Sequence, residues 1–278
     1  MNSRAAAMER AYQKTVWMYW ENPPGCSKPV WLDLCLETIR RRLGSWELKL
    51  LDENSVTDFL DLPWVVLKAP ILLDIKADYI RYALLHRYGG LWLDCDFILL
   101  KEIDELAAPL EQADFVICAN KDEQGGLGLI HTSMMASVRG CGIPGEALSM
   151  MDYALGRSGW WGPRRKWGYL RRRYLSRMFP EPFATEKGPV MFNRILPKHP
   201  FHSYPACRFG PNWSKREVYY REVDDINDWL KDDPFGFNLY NGGGMGEALK
   251  DKTREQLLGG RSLLSHLFRL ALQEPAAG

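Results

Sequence analysis

The sequence holds no CxxC pair and no metal-finger spacing, its six cysteines being scattered from Cys26 to Cys207. That pattern excludes a cysteine-built zinc site and fits reduced, mostly packed thiols in a cytoplasmic protein. No apolar run approaches the ~20 residues that a membrane-spanning helix needs. The opening stretch MNSRAAAMERAYQKT lacks an apolar segment, so neither a signal peptide nor an anchor is expected there. A charge excess of one sign is also missing. With 36 Lys and Arg against 35 Asp and Glu the net charge is +1, and no nucleic-acid partner is expected. Both glycine-rich phosphate cradles, GxGxxG and GxxxxGK[ST], are absent, so a phosphate ligand would have to be held some other way.

What is present is a chain of 278 residues, 46% hydrophobic and 12% aromatic, ample for a buried core. One α/β domain over residues 1–278 is the expectation. Residues 1–13 read as a flexible amino terminus and 14–119 as a nucleotide-binding half. Residues 120–250 read as a second half, and 251–278 as a helix and tail.

The chain is organised around Lys76 to Leu100, KADYIRYALLHRYGGLWLDCDFILL. Ile80, Ala83, Leu84 and Leu85 recur at near-helical spacing, which predicts a helix over 76–88 with Asp78 and Arg81 on one face. Gly89 and Gly90 stop it, because glycine enters the left-handed region without a Cβ penalty. Leu91 to Leu93 then reads as a short buried strand that ends on Asp94-Cys95-Asp96. In open α/β sheets ligands collect beyond the carboxyl ends of strands. Alternation sends Asp94 and Asp96 to one side, where two like charges repel unless a cation intervenes. A hard divalent ion that uses one or two carboxylates plus substrate phosphates is the simple remedy. Taken by themselves, Asp94 and Asp96 could also begin a solvated loop, and Asp78 and Arg81 could be a surface ion pair.

The string KADYIRYALLHRYGGLWLDCD resembles the DxD region of glycosyltransferase family 32. That group includes capsular polysaccharide synthesis proteins, yeast mannosyltransferases and eukaryotic α-1,4-glycosyltransferases; the large clostridial glucosylating toxins have a similar segment. The resemblance implies a GT-A fold, a Rossmann-like nucleotide-sugar-binding domain with a mixed central sheet. It also implies a nucleotide-diphosphate sugar donor (UDP-linked), Mn2+ or Mg2+, and transfer with retention to a glycan, lipid-linked or other hydroxyl acceptor, in surface polysaccharide synthesis. Carried over residue by residue, Asp78 and Arg81 hold donor hydroxyls, with Lys76 as a neighbouring positive charge. Asp94 takes ribose or sugar hydroxyls and Asp96 takes the metal; these two are the catalytic pair.

The first strand is read over Val16 to Trp20, with Trp17 in the core and Tyr19 and Trp20 at the edge that holds the base in similar enzymes. A helix is expected over 29–43, a strand over 46–51 and a capped helix over 52–60. Phe115 to Ala119 reads as a strand, and Leu129 to Ala136 as an apolar segment. Where relatives often carry an asparagine in the sugar pocket, this chain has Ile130-His131-Thr132-Ser133; His131 has no visible partner and is unassigned. Gly188-Pro189 resembles a family element that starts a helix beside that pocket. A late echo, Asn238-Leu239-Tyr240-Asn241, stands where relatives have a His-x-Trp-Asn type, which assigns Asn238 to the metal and Asn241 to the donor. Residues 255–272 form an amphipathic tail.

The segment from Gly159 to Arg177 interleaves seven basic residues, Arg164 to Arg177, with Trp167, Tyr169 and Tyr174. It reads as a solvated helix beside the acceptor, with peripheral membrane contact as the alternative. Two other classes share a strand ending in DxD: a haloacid-dehalogenase type phosphohydrolase and an inactive nucleotide-sugar-binding module. The former would need Thr or Val where Ile98 stands, and a late acidic pair such as Asp224-Asp225 or Asp232-Asp233 at a strand end. Oligomeric state, sugar and acceptor leave no mark in the sequence.

Overall fold

The computed structural model describes residues 12–22, 25–67, 73–121, 127–154, 188–211, 213–241 and 244–273. Its strands are β1 Thr15–Tyr19, β2 Glu47–Leu51, β3 Gly90–Leu93, β4 Phe97–Leu99, β5 Phe115–Lys121, β6 Leu127–Ser137, β7 His202–Tyr204 and β8 Gly236–Asn238. The helices are α1 Val30–Arg40, α2 Trp64–Leu67, α3 Leu73–Tyr88, α4 Ile103–Ala107, α5 Gly142–Ala154, α6 Gly188–Ile195, α7 Asn227–Leu230, α8 Met245–Leu249, α9 Arg254–Gly259 and α10 Leu263–Leu272. Six strands form one mixed sheet in the order β2-β1-β3-β6-β5-β7, and β4 pairs with β8 in a separate two-stranded ribbon. β2, β1 and β3 run parallel, β6 is antiparallel to both β3 and β5, and β7 is parallel to β5. The expected α/β architecture with a mixed sheet is thus observed.

Alternation along the strands divides the core in two. Val16, Met18, Leu91 and Leu93 face one side of the sheet and pack with Leu32, Leu36, Leu264, Leu267 and Phe268 of α1 and α10. Trp17, Tyr19 and Trp92 face the other side, against Ile80 and Leu84 of α3 and Phe192 of α6. Trp17 is a core residue, as expected, and so is Trp92, each about 1% exposed. The ribbon lies on the α1 side, where Thr38 Oγ1 donates to Cys35 O and accepts the Leu99 N–H at 3.1 Å. Cys35, Cys95, Cys118 and Cys141 are buried free thiols, while Cys26 and Cys207 are exposed.

Several local expectations change. The organising helix begins at Leu73, three residues before Lys76. The helix expected over 52–60 is a 3-10 turn at Ser55–Asp58, because the Asp52 carboxylate draws in the N–H groups of Asn54 and Ser55. The tail is two helices, each opened by its own side-chain cap, Thr253 for α9 and Ser262 for α10. Strand β3 stops at Leu93, so Asp94 to Asp96 form a turn into β4 and no strand alternation acts there. The basic segment Arg164 to Arg177 lies outside the described residues. Among the described residues no helix is long and apolar enough to cross a membrane.

The junction of α3 with β3 rests on two glycines. Gly89 has φ +70 and Gly90 has φ +95, and a Cβ on Gly90 would stand 2.6 Å from the Thr15 carbonyl oxygen. Neither the backbone angle nor the space admits a side chain. Gly90→Ala is expected to lower the unfolding free energy by roughly 2–4 kcal/mol, from left-handed strain plus overpacking. Urea denaturation measures it, and a loss under about 0.5 kcal/mol, the usual scale of a surface change, would contradict the packing described.

Candidate functional site

Because β1 and β3 are parallel and α3 runs back before β3, the ends of both strands and the start of α3 meet at one edge of the sheet. There α3 delivers Lys76, Asp78 and Arg81, the β3–β4 turn delivers Asp94 and Asp96, and the ribbon delivers residues 238–241. Arg81 is the hub. Its Nη2 lies 3.1 Å from Asp94 Oδ1, its Nε 3.3 Å from Asp78 Oδ1, and its Nη1 donates to the Thr132 carbonyl at 2.5 Å. The guanidinium also lies 5.0 Å from the centre of the Trp92 ring, whose Nε1 donates to Asp94 at 2.8 Å. Burial pulls the arginine's pKa down, but the carboxylates of Asp94 and Asp78 more than offset this and raise it. Burial pushes the Asp94 carboxyl up, while Arg81 and Trp92 pull it back.

Asp96 stands differently. It is 8% exposed, and Asn241 donates a backbone N–H to its Oδ2 at 2.6 Å. The Leu239 N–H donates to the Asp96 main-chain oxygen at 2.8 Å. Burial first, and the neighbouring Asp94 charge second, push its carboxyl up to about 7. Among the described residues no Lys or Arg pairs with it, and no group of three His, Cys, Asp or Glu side chains converges anywhere. Between Asp94 and Asp96 the Cys95 thiol donates inward to the Tyr19 carbonyl at 3.3 Å, so the two carboxylates flank an anchored residue.

The edge of β1 holds a residue that the sequence reading missed. Glu21 Oε1 accepts from both the Tyr19 hydroxyl and Lys76 Nζ, so Lys76 is an ion-paired, 7% exposed lysine and its charge is already engaged. Burial, followed by the Glu21 contacts, raises the Tyr19 pKa. Nothing in the spacing of Glu21 marks it; only the closeness of β1 and α3 does. Trp20 is half-buried, edge-on to Trp31 at 5.8 Å, with its Nε1 donating to Asn22.

The late segment joins the site through backbone more than side chains. Asn238 is 5% exposed, and its Oδ1 accepts the Tyr240 N–H at 2.8 Å. Asn241 tucks its amide against α8, where a Cβ on Gly246 would stand 1.8 Å from Asn241 Oδ1. His131 lies beside Tyr240, ring centres 6.1 Å apart, and burial lowers its pKa. Ser133, whose carbonyl accepts the Asp94 N–H, and Tyr82 on α3 each hold a buried hydroxyl without a hydrogen-bond partner among the described residues. The acidic pairs expected of a phosphohydrolase lie elsewhere: Asp233 pairs with Lys101 and Arg208, and Asp224 with Arg261. An open cavity of about 620 Å³ lined by Lys14, Trp17, Lys49 and Phe59 lies toward the amino ends of β1 and β2, away from the carboxylates.

Comparison with known proteins bears out the resemblance read from the DxD region. Residues 2–138 match the family described as "Capsular polysaccharide synthesis protein". The chain is 30% identical over 141 residues to "O-glycosyltransferase PaGT" of Phomopsis amygdali, covering 44% of this chain and 34% of that protein. It is 26% identical over 148 residues to "O-glycosyltransferase braB" of Annulohypoxylon truncatum, covering 46% and 34%. The matches therefore span about a third of the length of these relatives. Among solved structures it is similar to "PaToxG Glycosyltransferase", with a TM-score of 0.43 at 12% identity over 94% of this chain and 87% of that one. The glycosyltransferase GlyE of Streptococcus pneumoniae TIGR4 is similar at a TM-score of 0.43 and 8% identity, over 94% of this chain and 61% of that one.

Removing Arg81 takes the paired cation from two partly buried carboxylates and a donor from one carbonyl. Arg81→Ala is expected to destabilise the fold by about 3–5 kcal/mol, the cost of breaking a buried ion pair. Arg81→Lys is expected to recover only part of it, since a point charge cannot serve three acceptors in a fork. Chemical denaturation of both variants checks this; equal stability of Arg81→Ala and the parent would show that the network carries no weight.

Proposed function

We propose that the chain is a metal-dependent glycosyltransferase that moves a sugar from a nucleotide-diphosphate donor, UDP-linked on the resemblance, to a hydroxyl acceptor. The glycosyltransferases among its relatives support the reaction class. The single observation that carries the metal-dependent reading is the contrast between the two carboxylates: Arg81 pairs with Asp94, while no Lys or Arg among the described residues pairs with Asp96, which feels Arg81 only as the smallest influence on its carboxyl. A buried carboxylate of that kind fits a hard divalent ion whose remaining ligands are diphosphate oxygens and water. Asp96 would hold the ion, Mn2+ or Mg2+, with the second lone pair of Asn238 Oδ1 as a further oxygen. When bound, the ion supplies Lewis-acid stabilisation of the leaving diphosphate.

The chain's own residues do the rest. Asp94 and Asp78, each held by Arg81, accept hydrogen bonds from ribose and sugar hydroxyls, and fixed acceptors of this kind orient a donor without reorganising. The unpartnered Ser133 and Tyr82 hydroxyls leave polar capacity in the same region. Retention, as the resemblance implies, is consistent with front-face transfer. The anomeric C–O bond to the diphosphate breaks, the acceptor oxygen bonds to that carbon from the same face, and its proton passes to the departing phosphate. A glycan or a lipid-linked sugar in surface polysaccharide synthesis is the acceptor class that the family suggests.

The test is a donor screen: purified protein, manganese and a panel of nucleotide sugars, followed as release of nucleoside diphosphate with and without EDTA. EDTA-sensitive release from one donor is expected, and ¹H NMR of the product would report the retained anomer. Asp96→Ala is expected to lower turnover by about 100-fold or more, the scale of a lost Lewis-acid contribution. Near-parental transfer by that variant would remove Asp96 from the metal site. No release from any donor but a thermal shift by UDP plus manganese would favour an inactive binding module, and no release with no shift would overturn the donor reading in favour of a different phosphate chemistry.

A further inference from the structure

We infer that Tyr240 is a positioning residue whose left-handed backbone aims the Asn241 N–H at the Asp96 carboxylate; its part in function rests on the metal reading above. Among the described residues only Tyr240, at φ 56, and Asp233, at φ 49, take positive φ without being glycine. A bulky aromatic residue there is uncommon and costs free energy, so surrounding contacts must impose it. Three do. The Tyr240 N–H donates to Asn238 Oδ1 at 2.8 Å, its hydroxyl donates to the Pro211 carbonyl at 2.9 Å, and its ring rests beside His131.

The consequence falls on one residue. Strand β8 pairs with β4 as far as Phe97 opposite Asn238, so an unbroken ribbon would continue past Asp96. Instead the chain turns at Tyr240. The N–H of Leu239 still meets the main-chain oxygen of Asp96 in the ribbon's register, and past the turn the N–H of Asn241 meets the Asp96 carboxylate. Both donors lie on one short segment, so backbone and side chain of Asp96 are fixed together. A right-handed residue at 240 would swing the Asn241 N–H away while leaving the ribbon paired. The side-chain anchors explain why a tyrosine occupies a place that glycine would fill without strain.

The test separates backbone from ring. Tyr240→Gly and Tyr240→Asn accept the left-handed region but lose the ring; Tyr240→Val loses the ring and opposes that region. Three quantities are read: amide hydrogen exchange of Asn241 without metal, manganese affinity by titration calorimetry, and melting temperature. The Gly and Asn variants are expected to keep the Asn241 amide protected and the affinity within about threefold, whereas Val exposes the amide and weakens affinity about tenfold or more. A merely structural role for the ring predicts equal losses in all three, and that result would overturn the inference, as would an unchanged Val variant. Should Val not fold, Tyr240→Ala replaces it, differing from Gly by one methyl group, with the same loss of protection expected. If the parent binds no manganese yet the amide follows this order, the clamp stands and the metal reading fails.

Discussion

The arrangement depends on one buried cation. A guanidinium inside a protein is tolerated only where its charge is answered, since desolvation otherwise costs several kcal/mol. Arg81 meets that demand with the carboxylates of Asp78 and Asp94 and donates to the Thr132 carbonyl, while its buried Nε makes no hydrogen bond among the described residues. Those three come from α3 itself, from the end of β3 and from β6, so one side chain fixes the helix to two neighbouring strands. The position of Asp94 is therefore a consequence of packing. A turn that would be free to move in solvent is held where the sheet edge opens.

That constraint also explains what could be read in advance. The Lys76–Asp96 string is local: helical spacing, a glycine pair and a short apolar run each act within a few residues, and each leaves a periodic or compositional mark. Its helix, stop and strand appear where those marks stand, apart from three extra residues at the helix start. The contact between Asn241 and Asp96 spans 145 residues and is made by a backbone N–H, which no side-chain pattern encodes. Strands β4 and β8 are three residues each, too short to show alternation. The Glu21 partner of Lys76 is hidden for the same reason: it lies 55 residues away, just past the end of β1. The tail differs, because Gly259-Gly260 and the Ser262 cap are local signals that already divide it.

The two halves of the site are held by unlike forces. On the α3 side the ties are charged side chains, strong but directional and dependent on burial. On the ribbon side they are main-chain hydrogen bonds, which persist through most substitutions because every residue carries the donor. Ser133 on β6 and Tyr82 on α3 have buried hydroxyls with no hydrogen-bond partner among the described residues, although buried polar atoms are ordinarily paired.

The same bookkeeping divides the labour between the carboxylates on the proposed reading. Asp94 forms an ion pair with Arg81, and its remaining lone pairs suit neutral partners such as hydroxyls. Asp96 accepts backbone N–H groups and feels Arg81 least of all, and burial with the Asp94 charge disfavours its ionised form unless a further cation is present. Two aspartates one residue apart would compete for a single cation if both were free. Arg81 prevents that by neutralising one of them. A DxD turn in which one carboxylate is matched by the protein and the other is left for a ligand therefore needs an arginine paired with the first and none paired with the second, and the described residues have that asymmetry.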